Sequence, residues 1–188
     1  MANYFILDAQ ADRTQLRIAE SRIPERYTNA VLDGESIKPA RSAPVAYIEK
    51  KTAKAADFVG GVVTVPIVSA KMQGALERVA EACEFYPVRL TLRRDASVGF
   101  RYLIFNALGL VDAFDWERSK YRRLADSPGV SRVEKLVLDE SKVGNRNVFR
   151  LSAFRTQLIV SGKARAELES AQLLGLQFIP TSEYRPAI

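Results

Sequence analysis

Short apolar runs, each ended by a breaker or a polar stretch, set the rhythm of this chain. Tyr4–Leu7 reads as a buried strand, and the polar segment after it, interrupted by Pro24, makes residues 8–44 read as loop-rich. Pro39 and Pro44 bracket a further polar stretch before Val45–Ile48, which reads as a strand, and Lys50, Lys51 and Lys54 form a small basic cluster after it. Gly60-Gly61 then turns the chain into the extended Val62–Val65.

A pattern then occurs twice. Pro66–Glu77 (PIVSAKMQGALE) aligns with Leu158–Glu169 (LIVSGKARAELE) at a constant offset of 92, with six of twelve positions identical. In each, a β-branched run ends in a serine, Ser69 or Ser161, placed to cap the helix that follows. The first helix is expected to bury Met72, Leu76, Val79, Ala80 and Cys83; Phe85-Tyr86 and the alternating Val88–Arg93 follow. The second is expected to bury Ala164, Leu168 and Ala171 and to stop at Gly175, before Leu176–Phe178 extends again. A duplicated strand-helix-strand unit and convergence on a common pattern both account for the repeat.

Between the copies, Arg101–Leu110, Val133–Leu138 and Val148–Phe154 read as strands, and Ser141–Asn147 has hairpin-turn chemistry around Gly144-Asn145. The charged stretch Phe114–Ala125 has the length of a short helix. The expected architecture is α+β, a mixed sheet with two main helices. It forms a single domain over residues 1–188, with a loop-rich N-terminal part (1–65) and an α+β part (66–188).

Composition narrows the chemistry. The chain has no histidine, which removes the usual general base, the usual partner of Ser and Cys nucleophiles, and the commonest nitrogen ligand for metals. The single cysteine, Cys83, forms no internal disulfide and reads as core. No apolar run approaches the roughly 20 residues a membrane helix needs, and the first ten residues lack a basic leader, so a cytoplasmic protein is expected. Carboxylate, Lys, Tyr or Arg chemistry stays open, but binding is favoured over catalysis.

Charge points to a partner. Of the net +6, the excess lies in residues 89–155, with 14 Lys/Arg against 8 Asp/Glu, and arginine outnumbers lysine 19 to 9. Arginine suits bidentate pairing with carboxylate or phosphate, so an acidic protein surface or a nucleic acid fits. The segment Trp116–Arg123 interleaves aromatics with arginines, and Trp116, Arg118, Tyr121, Arg122 and Arg123 are the candidate partner-binding residues. Against this stands a solvated helix with Trp116 turned into the core.

Asp112, Asp115 and Glu117 are spaced for Mg²⁺ or Ca²⁺, yet no EF-hand loop surrounds them. The cations Arg118, Lys120, Arg122 and Arg123 follow immediately, so a local salt-bridge cluster is the preferred reading and no metal is expected. Gly60-Gly61 belongs to neither a phosphate loop nor a dinucleotide fingerprint, so no cofactor is expected either.

One ordered series of frame residues carries a resemblance. Tyr102–Asn106 leads to Val111–Asp115 and Ser119, followed by Val133–Asp139, Val148–Leu151, Ile159–Ser161, Leu168 and Gly175–Phe178. Over about residues 102–180 this resembles immunity protein family eleven, a family of bacterial immunity proteins encoded beside polymorphic toxins. The resemblance implies a non-enzymatic protein that binds and neutralises a cognate toxin, such as a type VI secretion effector, encoded by a neighbouring gene. It carries no family active site with it. The alternative from another class is a nucleic-acid-binding regulatory protein using the Arg-rich segment 89–155.

Overall fold

Ser69 and Ser161 both do what their positions predict. The side chain of each, at φ near −74°, accepts from the backbone N–H three residues on, Met72 at 3.1 Å and Ala164 at 3.2 Å. Each therefore satisfies a first-turn donor that the helix leaves open. The computed structural model describes residues 3–10, 14–38, 41–50, 54–61, 65–125 and 128–185. Pro39, Lys51 and residues 62–64 of the expected extended segment lie outside the described residues.

The elements run β1 (Tyr4–Ala9), β2 (Arg17–Arg22), α1 (Glu25–Asp33), β3 (Val45–Ile48), β4 (Phe58–Gly61), β5 (Ile67–Val68), α2 (Ala70–Glu77), β6 (Cys83–Leu92) and β7 (Asp95–Ala107). They continue with β8 (Leu110–Val111), β9 (Lys120–Arg123), β10 (Val130–Lys135), β11 (Val148–Leu151), β12 (Leu158–Ser161), α3 (Gly162–Ser170) and β13 (Leu176–Pro180). The class is α+β with mixed pairing, but the strands do not form one sheet. Six close a barrel in the order β2-β3-β6-β7-β5-β4; five form a sheet in the order β13-β1-β12-β11-β8; β9 and β10 pair alone.

Closure of the barrel depends on β2 running parallel to β4, with Ile18 opposite Gly61. Gly61 sits at φ 126°, and a Cβ there would lie 2.2 Å from the Ile18 carbonyl oxygen, so only glycine lets these backbones meet. Inside the barrel Ile18, Ala46, Ile67, Leu90 and Ile104 are fully buried.

The two serine-capped segments are built alike. β5 and β6 both lie antiparallel to β7, hence parallel to each other with β7 between them. β12 and β13 stand in the same relation to β1. One unit belongs to the barrel and the other to the sheet, so the likeness is one of supersecondary pattern, and duplication is not established by it. α2 and α3 pack together in the seam: Met72, Leu76, Ala164 and Leu168 share one core with Phe105 and Val160, and Arg78 Nε lies 2.6 Å from Glu167 Oε1 across the helix pair.

Several expectations are corrected. Residues 8–44 hold regular elements not expected among their loops: β2 and a third helix, α1, which starts after Pro24 and buries only Tyr27 and Val31. Pro24 therefore opens a helix, where its missing N–H costs nothing. α2 ends at Glu77, so Cys83 begins β6 instead of lying on a helix face; it is half-buried beside the α2 core, and burial, then Glu77, Glu81 and Glu84, push its thiol pKa up. Ser141–Asn147 joins β10 to β11, which lie in different sheets, through a 3₁₀ turn at Glu140–Lys142, so it is no hairpin. Phe114–Ala125 is not a helix but a turn followed by β9. α3 stops at Ser170, before the expected Gly175, whose left-handed φ of 86° is still required because a Cβ would meet the Phe58 carbonyl at 2.7 Å.

Candidate partner-binding surface

The turn that replaces the expected helix is held by Asp115. Its Oδ1 accepts from the backbone N–H of Glu117 (3.1 Å) and Arg118 (2.8 Å), and Arg118 Nε donates to its Oδ2 at 2.5 Å. These bonds, the Arg118 N–H foremost, hold the Asp115 carboxyl below the usual carboxylate range. Side-chain bonding of this kind offers the backbone an alternative to a helix. The chain then turns outward into β9.

β9 and β10 form a ribbon with register Tyr121↔Val133 and Arg122↔Arg132, broken by two irregularities that sharpen its twist. Val130 and Val133 fix it to a core containing Phe114, Leu136, Phe149 and Phe154. The rest of its surface exposes Ser131, Glu134 and a majority of cations. Lys120, Arg122, Arg123, Arg132 and Lys135 are all exposed, and none makes an ion pair with a described carboxylate. Next to them Leu124 is 43% exposed, one of two large apolar side chains so exposed among the described residues.

Three of the five candidate residues come together. Trp116 and Tyr121 pack edge-on at 5.2 Å, both against Phe114, and the Arg123 guanidinium lies 4.6 Å from the Trp116 ring centroid and 5.7 Å from that of Tyr121. Trp116 is half-buried, neither sunk in the core nor free, and its stacking holds Arg123 in place without neutralising it. Arg122 stands beside Arg132 across the ribbon. Arg118 departs from the group: it is tied to Asp115 and faces a cavity of ≈ 350 Å³ lined by Tyr4, Leu138 and Glu140.

The acidic triplet does not converge. Asp115 is occupied by Arg118, Asp112 accepts from Ser152 Oγ at 3.3 Å, and no group of three His, Cys, Asp or Glu suited to a metal occurs among the described residues. Sequence reasoning missed Arg132, Lys135 and Leu124. Pro128-Gly129 between two basic runs was the available signal, since such a pair between extended segments marks a turn.

No helix among the described residues is long and apolar enough to cross a membrane. No curated protein matches the chain. The family model described as "Immunity protein family (Imm11)" matches residues 5–183, well beyond the 102–180 over which the frame residues alone are legible. The chain belongs to the Imm11 immunity protein family.

Proposed function

We propose that this protein neutralises a cognate toxin by stoichiometric binding, without catalysis, and that the β9–β10 ribbon is the principal contact surface. Family membership supports the immunity role in general; the observation that carries the choice of surface is the set of five exposed cations, without an ion pair to a described carboxylate, beside an aromatic cluster. Such a surface raises the encounter rate with an acidic partner by steering, while Trp116, Tyr121, Arg123 and Leu124 supply desolvated contacts. The partner is then a toxin with an acidic patch, encoded beside this chain and met in the cytoplasm of the producing cell, including the case of a type VI effector.

Co-purification with the neighbouring gene product, combined with growth of cells expressing that product with and without this chain, tests the proposal. A tight complex with restored growth supports it, and no complex with no rescue rejects it. The same cations favour a second reading, a regulatory protein binding nucleic acid. Counterion release would then make affinity fall steeply with salt, whereas a packed protein interface keeps much of its affinity.

A further inference from the structure

Arg150 is the one charged side chain fully buried among the described residues, at 1% exposure. It sits on β11, where side chains alternate: Phe149 and Leu151 enter the core beneath the β9–β10 ribbon, while Val148, on the same face as Arg150, enters the α2–α3 core. The guanidinium is thereby driven into the seam between sheet and barrel.

Its partners there are few. Nη1 donates to the Arg155 carbonyl at 2.8 Å, and among the described residues Nε has no acceptor and no carboxylate lies within ion-pair range. A guanidinium carries five N–H donors and stays charged unless burial is extreme. Burial lowers the Arg150 pKa to about 10, which leaves it cationic at neutral pH. An unpaired buried charge is strongly unfavourable, and an apolar residue of similar size would avoid that penalty.

Beside Arg150 lies a cavity of ≈ 280 Å³, walled by Thr156, Gln157 and residues of β1 and β4 that include Asp8 and Gly60. Asp8 is exposed at this wall, which disfavours a multiply charged anion and suits a single carboxylate. Thr156 and Gln157 also wall a second cavity of ≈ 240 Å³ against Arg132 of the ribbon. The Arg150 site therefore opens beside the proposed contact surface.

We propose that this cavity is a carboxylate-binding site in which the Arg150 guanidinium receives one carboxylate, carried by an acidic side chain of the bound toxin or by a small organic acid. The chemistry stands independently of the toxin reading; only the toxin as source rests on it.

The test is NMR of the full chain, following the assigned Arg150 Nε–Hε signal during titration with sodium propionate against a sodium chloride control. A saturable shift with propionate, absent with chloride and absent from surface arginines such as Arg165, is the expected result. An Arg150 signal that propionate leaves unmoved, or that chloride moves equally, overturns the site. Adding the toxin identifies the source: an Arg150 signal that moves and no longer answers to propionate assigns the carboxylate to the toxin. One that is unchanged in the complex assigns it to a small acid. A toxin that fails to bind at all overturns the proposed function alone and leaves the propionate result standing.

Discussion

The Asp57 carboxylate accepts from Ser69 Oγ at 2.5 Å, and its other oxygen accepts from the backbone N–H of Leu174 at 2.9 Å. One side chain just before β4 thus joins the cap of α2 to the loop between α3 and β13, reinforced by backbone bonds from Asp57 N to Leu174 O and from Ser69 N to Asp57 O. Asp57→Ala removes these acceptors and is expected to lower stability by about 1–3 kcal/mol in denaturant unfolding. An unchanged midpoint would mean solvent replaces both bonds at no cost.

Leu168 is fully buried between α3 and α2. Leu168→Ala is expected to cost roughly 2–5 kcal/mol, the range for emptying a packed leucine site. A loss below about 1 kcal/mol would show that α2 collapses into the space.

Gly61→Ala should strike the closure of the barrel. A methyl group on a backbone at φ 126°, against Ile18, costs at least about 1–3 kcal/mol and is relieved only by parting β2 from β4. Hydrogen exchange should rise first in residues 17–22. Exchange unchanged there, with wild-type stability, would rule out this role for the glycine.

Arg122→Glu with Arg123→Glu should slow association with the toxin and weaken the complex while far-ultraviolet circular dichroism stays the same, since both residues are exposed. Arg118→Ala, already tied to Asp115, should weaken binding far less. Equal effects of the two changes would remove the ribbon from its proposed role.

Glu84 links β6 to the segment after α1. Burial raises its carboxyl pKa, but hydrogen bonds from Tyr86 and Ser36, the latter at 2.7 Å, together with the Ile37 backbone, hold it below the ordinary glutamate value. A lowered folded pKa contributes stability that is complete above the unfolded value, about 4.3, and is lost as pH falls through the folded value. Glu84→Gln should therefore flatten the acid limb of the stability–pH curve below about pH 4.3. An acid limb as steep as wild type would assign that loss to other carboxylates.

Much of the local structure was legible because local rules governed it. The two serine caps, β3 at its exact bounds and the alternation of Val88 and Leu90 in β6 follow from periodicity and capping. β2 was hidden because only Ile18 of its six residues is buried, and α1 because a two-residue apolar stripe behind Pro24 resembles a break. Trp116–Arg123 read as a helix because charge density suits one, yet the Asp115 side chain and the pairing with β10 decided otherwise. Barrel closure had no local signature, since the parallel pairing of β2 with β4 is set by distant packing. Arg150 was invisible as a site because nothing in its immediate sequence distinguishes a buried arginine from a solvated one.

β1 lies between β12 and β13, with Phe5 opposite both Val160 and Pro180. In chain order this strand precedes the barrel and its two neighbours follow the barrel, so during synthesis it must wait through the whole barrel before it can be paired. Every strand of that barrel lies within residues 17–107 and can associate in the meantime. A chain stopped short of β12 leaves β1 as an exposed apolar edge, and the nascent protein is most vulnerable to aggregation in the interval before β12 and β13 emerge.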